Sequence, residues 1–183
     1  LHGKFRRQRQ MCIRDRAGER GYVARFGRKT TAEQVSEGVD LAGRHALVTG
    51  ANTGIGRETT RVLAFRGASV TMACRDLDKA IAAREGILRD HPEIAKDQIE
   101  IRCLDLADLA QVRVFATEFL ATDRAIDLLV NNAGVMLPDR RETNDGFEAH
   151  FGINHLGHFL LTNLLLDRIR ASSPARIINV SSD

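Results

Sequence analysis

Short apolar runs alternate with amphipathic segments along most of this chain. The first run starts at His45, and later runs span residues 68–74, 98–103, 125–130 and 175–180. Short apolar runs bounded by turn residues predict buried strands. The segments between them carry apolar residues every three or four positions, which predicts helices. Strands and helices that alternate in this way form right-handed βαβ units, so we predict an α/β fold with a parallel sheet.

Capping residues and helix breakers mark the ends of the helical segments. A capping box at residues 30–33 predicts a short helix through Glu37, with Thr30 as its cap. Gly67 ends a helix that follows the first run, and residues 109–121 predict another. Helix 76–90 is expected to face Leu77, Ile81, Ile87 and Leu88 inward. Helix 145–172 is expected to bury Phe147, Phe151, Asn154, Phe159, Leu161, Leu164 and Leu165.

The composition is that of one globular domain with a basic leader. The chain has 183 residues, of which 43% are hydrophobic and 28% charged, and no apolar stretch is long enough to cross a bilayer. Residues 1–30 hold ten Lys and Arg but two Asp and Glu, which leaves 17 basic and 22 acidic residues beyond them. The basic pI therefore belongs to the leader, and we expect no nucleic-acid partner and no membrane span for the globular part.

The leader, residues 1–29, is expected to be disordered, because it lacks an apolar period long enough for a packed element. Three interpretations stay open: a solvated or non-native tail, a targeting presequence, or an arm that binds polyanions. The first 30 residues contain no serine, which argues against a transit peptide. We assign the domain itself to residues 30–183.

Cysteine and histidine spacing predicts no metal site. Cys12, Cys74 and Cys103 are widely separated and form no C-x-x-C pair, which is typical of a reducing compartment and predicts a cytoplasmic protein. His155 and His158 are three residues apart, but no acidic or thiol partner lies at ligand spacing. Ordinary helix packing is the favoured interpretation of these histidines.

Three glycines follow the first predicted strand, at positions 50, 54 and 56, and a helix begins directly after them. Glycines in such a turn let backbone N–H groups approach a phosphate at a helix N-terminus. A plain tight turn would also explain the glycines, so the flanking strand and helix carry the prediction.

Four motifs resemble the short-chain dehydrogenase/reductase family in the family's order. They are TGANTGIG at 49–56, NNAG at 131–134, NHLGH at 154–158 and NVSS at 179–182. ACRD at 73–76, DGFE at 145–148 and HFGINHLGHFLLT at 150–162 are similar to its retinol-dehydrogenase and WW-domain-oxidoreductase branch. The resemblance covers about residues 30 to 183. It implies a Rossmann-type doubly wound parallel sheet, with strand order 3-2-1-4-5 for the five strands present.

The resemblance also implies site residues. The cofactor-binding positions are Gly50, Asn52, Thr53, Gly54, Ile55, Gly56, Arg75, Asp105, Leu106, Asn132, Ala133 and Gly134. Asn154 matches the asparagine that holds a water in a proton relay, and Ser182 matches the serine that hydrogen-bonds the substrate oxygen. Helix capping is an alternative role for Asp105, and a solvent-exposed strand end is the alternative for Ser182.

Charge at the end of the second strand predicts the cofactor. NAD users commonly carry an acid there to hold the ribose 2′-hydroxyl, whereas this chain carries Arg75, with Arg57 beside the glycine loop. Two guanidinium groups suit a 2′-phosphate, so we predict NADP(H). A slip of one residue would instead bring the Asp76 carboxylate to the ribose.

The family's catalytic Tyr-x-x-x-Lys does not occur within the 183 residues. The single tyrosine is Tyr22, and the lysines are at 4, 29, 79 and 96. We therefore expect a fragment that lacks the carboxyl-terminal part and is inactive as it stands. The function predicted from the resemblance is NADP(H)-dependent hydride transfer to or from a lipophilic alcohol or carbonyl compound of the retinol/retinal type. The alternative is a non-catalytic NADP(H)-binding or protein-interaction module.

Two further expectations concern association. The fifth predicted strand is a flat apolar edge if nothing covers it, and such edges pair with other chains. In the resembling family the helix around residues 147–170 commonly lies at a subunit interface, which implies a homo-oligomer.

Overall fold

The structure is a computed structural model, and it describes residues 26–27 and 29–181. The predicted leader lies outside the described residues except for residues 26, 27 and 29. The described chain divides into two units between Glu37 and Gly38.

The first unit contains one short helix, α1, Ala32–Val35. Its cap is Thr31, so the predicted cap was placed one residue too early. The Thr31 hydroxyl accepts the N–H of Gln34 at 3.2 Å, and the Gln34 side chain accepts the N–H of Thr31 at 2.9 Å. The hydroxyl of Thr30 instead accepts the N–H of Gly27. A capping box therefore forms, with glutamine in the position that the prediction gave to glutamate.

The second unit alternates strands and helices as predicted. The strands β1 to β5 are His45–Thr49, Ser69–Cys74, Ile99–Cys103, Leu128–Asn131 and Arg176–Asn179. The helices α2 to α5 are Gly54–Phe65, Leu77–Asp90, Leu109–Leu120 and His158–Ala171. A 3-10 turn, Lys96–Gln98, precedes β3, and a π-helical segment, Phe151–Gly157, leads into α5.

All five strands are parallel, in the order β3-β2-β1-β4-β5, which confirms the predicted topology. Val48 of β1 pairs with Met72 of β2 on one side and with Val130 of β4 on the other. The carboxyl ends of the three central strands therefore lie side by side, at the edge where open α/β sheets bind ligands.

Helices cover both faces of the sheet. On one face α2 and α3 pack over Ala46, Val48, Val70 and Met72. On the other face α4 and α5 pack over Leu47 and Leu129 with Phe115, Phe119, Leu161 and Leu165. This three-layer arrangement is the doubly wound Rossmann-type fold. Among the described residues, no helix is both long and apolar enough to cross a bilayer.

Some inward positions were predicted wrongly in α3. Leu77 is 43% exposed and Ile81 is 45% exposed, whereas Ile87 is buried as predicted. The buried face of α3 consists of Ala80, Ala83, Gly86 and Ile87. Small residues let the helix lie close to the sheet, and the longer side chains of Leu77 and Ile81 line a surface depression beside the edge strand β3.

The long helix also differs from its prediction. Residues 144–146 form a turn in which Gly146 has a φ of +78°, and the Glu148 carboxylate accepts the N–H groups of His150 and Phe151 at 2.9 Å. Those hydrogen bonds lower the pKa of Glu148 to about 2. Leu161 and Leu165 are buried as predicted and Leu164 partly so, but Phe147, Phe151, Asn154 and Phe159 are exposed.

Candidate functional site

A cavity of about 450 Å³ opens at the carboxyl ends of the central strands. It is lined by all the residues that were predicted to bind the cofactor: Gly50, Asn52, Thr53, Gly54, Ile55, Gly56, Arg75, Asp105, Leu106, Asn132, Ala133 and Gly134. It is also lined by Asp76, the alternative ribose contact of the prediction, and by Ala73, Lys79, Leu104, Val135 and Ile153, which were not predicted. The fold thus brings together segments that are up to a hundred residues apart in the sequence.

The glycine loop between β1 and α2 needs glycine for two different reasons. Gly50 has a φ of +62°, and a Cβ there would lie 2.8 Å from the Cα of Ala133. A Cβ on Gly56 would lie 2.4 Å from both the carbonyl oxygen of Gly50 and the Nδ2 of Asn132. The loop and the Asn132–Ala133 turn therefore pack so closely that a side chain at either glycine would not fit.

The N-terminus of α2 faces this cavity and has no side-chain cap. Thr53 occupies the cap position, but its hydroxyl makes no hydrogen bond to the first turn, and no acidic residue lies in that turn. By contrast, Asp76 caps α3 and Asp108 caps α4 with their carboxylates. The first N–H groups of a helix have no intrahelical acceptor, so they form an anion site when nothing caps them.

Positive charge lies where β2 ends. Arg75 is exposed, and within the described residues its guanidinium pairs with no carboxylate. Lys79 stands one helical turn further on and pairs with the Asp76 carboxylate at 2.9 Å. The same carboxylate accepts the N–H of Lys79 at 3.0 Å, and these contacts hold the pKa of Asp76 below its ordinary value. Both oxygens of Asp76 are thus engaged within α3.

Arg57, which the prediction paired with Arg75 as a group suited to a 2′-phosphate, does not line the cavity. Its guanidinium lies over α3, where a Cβ on Gly86 would come within 3.0 Å of it. The glycine at that position leaves the space in which the Arg57 side chain extends along α3. Lys79 is therefore the second cation of the site.

The wall of the cavity at β3 is formed by Leu104, Asp105 and Leu106. The Asp105 carboxylate accepts the N–H of Ala107 at 2.9 Å, whereas the cap of α4 is Asp108. The alternative role of Asp105 as a helix cap is therefore excluded. Leu106 is buried, and a Cβ on Gly157 would lie 2.6 Å from its carbonyl oxygen.

The opposite wall is the turn after β4. Asn132 donates its side-chain N–H to the carbonyl oxygens of Thr49 and Gly50 at 2.9 and 3.3 Å. It ties the β4 turn to the start of the glycine loop.

Asn154 holds the backbone beyond this turn with both ends of its amide. Its Oδ1 accepts the N–H of Val135 at 2.9 Å, and its Nδ2 donates to the carbonyl oxygen of Val135 at 3.0 Å. Asn154 lies within the π-helical segment, and such segments are frequent at functional sites. Ser182 lies outside the described residues, and its exposed neighbour Ser181 lines a second depression together with Asn154 and His158.

Cys74, at the carboxyl end of β2, is buried. Burial raises the pKa of the Cys74 thiol to about 11, so the thiol stays protonated near neutral pH. No group of three metal-ligating side chains occurs in residues 26–27 and 29–181.

Comparison with known proteins identifies the family. The sequence model of the short chain dehydrogenases matches residues 44–183. The chain belongs to this family. It is 54% identical over 145 residues to retinol dehydrogenase 11 of Mus musculus, an alignment that covers 79% of this chain and 45% of the relative. It is 50% identical over 142 residues to retinol dehydrogenase 13 of Homo sapiens, with 78% and 42% covered. This short-chain dehydrogenase therefore lies in the retinol-dehydrogenase-like branch, and it spans about half the length, or less, of these relatives.

Solved structures agree with the fold and the family. The Pseudomonas aeruginosa RhlG/NADP active-site complex superposes with a TM-score of 0.66 at 30% identity, covering 78% of this chain and 56% of that one. A metagenomic short-chain oxidoreductase in complex with NADP has a TM-score of 0.66 at 32% identity, with 78% and 64% covered. Short-chain dehydrogenases use nicotinamide cofactors, and the open glycine loop and uncapped α2 of this short-chain dehydrogenase fit a dinucleotide.

Proposed function

We propose that this chain is the cofactor-binding part of an NADP(H)-dependent oxidoreductase acting on a lipophilic alcohol or carbonyl compound. The observation that carries the proposal is the uncapped N-terminus of α2 beside the glycine loop, at the carboxyl ends of the central strands. The N–H groups of the first helical turn are left for a pyrophosphate, whose charge the helix dipole favours.

NADP(H) is favoured over NAD(H) by the charges at the far end of the cavity. The Arg75 guanidinium and the Lys79 ammonium line it, and a 2′-phosphate is an acceptor for both. Asp76 is the residue that could hold a ribose 2′-hydroxyl instead, but its carboxylate is already hydrogen-bonded to the backbone and ammonium of Lys79. These contacts occupy one acceptor position on each oxygen, so Asp76 is a weaker partner for the ribose than a free carboxylate would be.

The bound nicotinamide would supply hydride chemistry, and the chain's own residues position the groups around it. Asn154 fixes the backbone at Val135, and Val135 and Ile153 give the same end of the cavity an apolar lining. Met136, next to it, is 91% exposed. Such a surface suits a lipophilic substrate, in keeping with the retinol dehydrogenases among the relatives.

Calorimetric titration of the chain with NADPH and NADH tests the cofactor. We expect NADPH to bind more tightly, and Arg75→Gln to weaken NADPH binding about tenfold to a hundredfold, because a charge-assisted hydrogen bond contributes about 1.5–3 kcal/mol. Lys79→Gln should have a smaller effect in the same direction, since Lys79 is shared with Asp76. NADH affinity should change little in either variant.

Arg113→Gln is the matched control, because Arg113 is exposed on α4 and does not line the cavity. Equal or tighter binding of NADH by the unaltered chain would refute the NADP(H) assignment. Failure of both dinucleotides to bind to the folded chain would refute the oxidoreductase proposal as a whole.

We also propose that the protein self-associates. The rings of Phe151, His155 and Phe159 stack along one exposed side of the helix, with centroids 5.3 and 6.2 Å apart. Phe159 is 61% exposed and Phe151 is 51% exposed. Contiguous exposed aromatic surface of this kind is typical of a protein interface. Analytical ultracentrifugation across a range of protein concentrations measures the association directly.

A further inference from the structure

The Thr49 hydroxyl, at the carboxyl end of β1, lies at the centre of a buried hydrogen-bond network. Its oxygen is 2.9 Å from the N–H nitrogen of Asn132 and 3.0 Å from that of Ala133. It is also 2.8 Å from Nε2 of His158, and 3.4 Å from the carbonyl oxygen of Val130. Asn132 and Ala133 form a wall of the cofactor cavity.

The hydrogen-bonding capacity of a hydroxyl decides how this network is arranged. A hydroxyl has one proton and two lone pairs. The N–H groups of Asn132 and Ala133 occupy both lone pairs, so the Thr49 proton must go to another acceptor. His158 Nε2 at 2.8 Å is a much better acceptor than the Val130 oxygen at 3.4 Å. The ring must therefore be unprotonated at Nε2.

The other nitrogen of His158 agrees with this assignment. Nδ1 lies 3.1 Å from the carbonyl oxygen of Asn154, which can only accept, so Nδ1 carries the proton. Burial lowers the pKa of His158, which favours the neutral ring. A ring protonated at Nε2 would present a third donor to an oxygen that already accepts two.

We infer that His158 is a positioning residue that orients the Thr49 hydroxyl and thereby holds the Asn132–Ala133 wall against the dinucleotide. This role rests on the proposed function. The imidazole joins the two anchors of the segment after β4, because it bonds Thr49 on one side and the backbone of Asn154 on the other. Asn154 in turn holds Val135.

The wall is coupled to the glycine loop, so its position affects binding. Gly50 approaches Ala133 so closely that no Cβ would fit between them. If Thr49 turned its proton toward Val130 or rotated away, one of the two N–H groups would lose its acceptor inside the protein. A buried donor without an acceptor is unfavourable, and the turn would move to find another one.

Calorimetric binding of NADPH to four variants tests this inference. We expect His158→Leu to weaken binding about tenfold, which is about 1.4 kcal/mol and the scale of one lost buried hydrogen bond. Thr49→Val should weaken binding more than this, because it leaves the N–H groups of both Asn132 and Ala133 without their acceptor. The double variant should bind like Thr49→Val alone, because both changes break the same link. Thr49→Ser keeps the hydroxyl and should restore affinity close to the original value.

His155→Leu is the matched control. It is the same substitution three residues away, but His155 is exposed and its ring stacks on Phe151 and Phe159 instead of contacting β1. Its affinity for NADPH should be unchanged. Equal losses in His155→Leu and His158→Leu, or additive losses in the double variant, would overturn the inference.

Amide exchange of the chain without dinucleotide separates this inference from the proposed function. In His158→Leu the N–H groups of Asn132 and Ala133 should exchange about tenfold faster, while those of Leu47 and Val48 in β1 keep their rates. Nitrogen-15 spectra of the unaltered protein should show His158 protonated at Nδ1 alone. A proton on Nε2, or unchanged exchange in the variant, would refute the role of His158 even if no dinucleotide binds.

Discussion

Replacing Gly56 by alanine should destabilise the fold and abolish tight dinucleotide binding, although alanine is the better helix former. Gly56 lies in the first turn of α2, where alanine would contribute about 1 kcal/mol of helix propensity. Its Cβ would, however, lie 2.4 Å from the backbone oxygen of Gly50 and from Nδ2 of Asn132. Ordinary contacts of a Cβ are longer than 3.0 Å, so these atoms must move apart by at least 0.6 Å.

The expected loss of stability depends on which atoms Gly56→Ala displaces. Overpacking of this kind costs about 1–3 kcal/mol. Displacement of the Asn132 amide also breaks its bonds to the Thr49 and Gly50 oxygens, each of which contributes about 1 kcal/mol. When the gain of about 1 kcal/mol in helix propensity is subtracted from these losses, the free energy of unfolding should fall by about 2–4 kcal/mol. Urea denaturation followed by circular dichroism measures this difference.

Gly54→Ala is the informative comparison. Gly54 has a φ of +51°, but a Cβ there would meet no atom within 4 Å because it points into the cavity. The left-handed conformation costs alanine about 1–2 kcal/mol, partly offset by about 0.4–1 kcal/mol from the restricted unfolded chain. We therefore expect a loss of about 1 kcal/mol in stability. NADPH affinity should fall at least tenfold, because the methyl group occupies space left for the phosphates. A Gly56→Ala variant that is as stable as the unaltered chain, or that loses less stability than Gly54→Ala, would contradict this prediction.

Two other predictions concern stability and association. Burial lowers the pKa of His45 to about 4 from 6.5, so the unfolded chain binds the proton first, and up to about 3 kcal/mol of stability should be lost as pH falls from 6.5 to 4. Urea denaturation at pH 7 and 4.5 should show this loss in the unaltered chain and a smaller one in His45→Asn; parallel losses would contradict the assignment. Strand β5 is exposed along its whole length, with Ile178 38% accessible, so the chain should aggregate or self-pair, and Ile178→Lys should reduce light scattering. A monodisperse unaltered chain would contradict that prediction.

The sequence predicted the sheet well because local pattern and chain order agree. Strands at the predicted positions pair in the order that the family resemblance implies. The residues predicted for cofactor binding line one cavity, since the carboxyl ends of neighbouring parallel strands meet at one edge of the sheet. Sequence motifs and sheet topology are therefore sufficient to predict which residues line the cavity, because the course of the backbone brings these segments together.

Side-chain direction was harder to predict, because it depends on how closely two elements pack. Arg57 lies next to the glycine loop in the sequence, yet it extends over α3 because Gly86 leaves room for it. Lys79 lines the cavity instead, since it lies one helical turn beyond Arg75 and is drawn to Asp76. The spacing of Arg75 and Lys79 could have indicated this second cation, whereas the position of Arg57 follows only from the packing of α2 on α3.

The π-helical segment explains two of the wrong burial predictions in the long helix, those for Phe151 and Asn154. A π turn inserts a residue relative to an α-helix, so the apolar face before it is out of phase with the face after it. Leu161 and Leu165 lie beyond the segment and are buried, whereas Phe151 and Asn154 lie within it and are exposed. A period of 3.6 residues applied throughout cannot detect such a shift.

The two ends of the cavity differ in how completely their hydrogen bonds are satisfied. At the β4 turn Thr49, Asn132 and Asn154 bond the backbone within the protein, so that wall is in place before any ligand arrives. At the start of α2, the Thr53 hydroxyl makes no capping bond, and the residues of the first helical turn line the cavity. A dinucleotide would complete the hydrogen bonding at the second end only. The preorganised groups at the first end lose little entropy on binding, so they orient the dinucleotide. The unsatisfied N–H donors at the second end gain most from an anion, so they contribute most of the affinity.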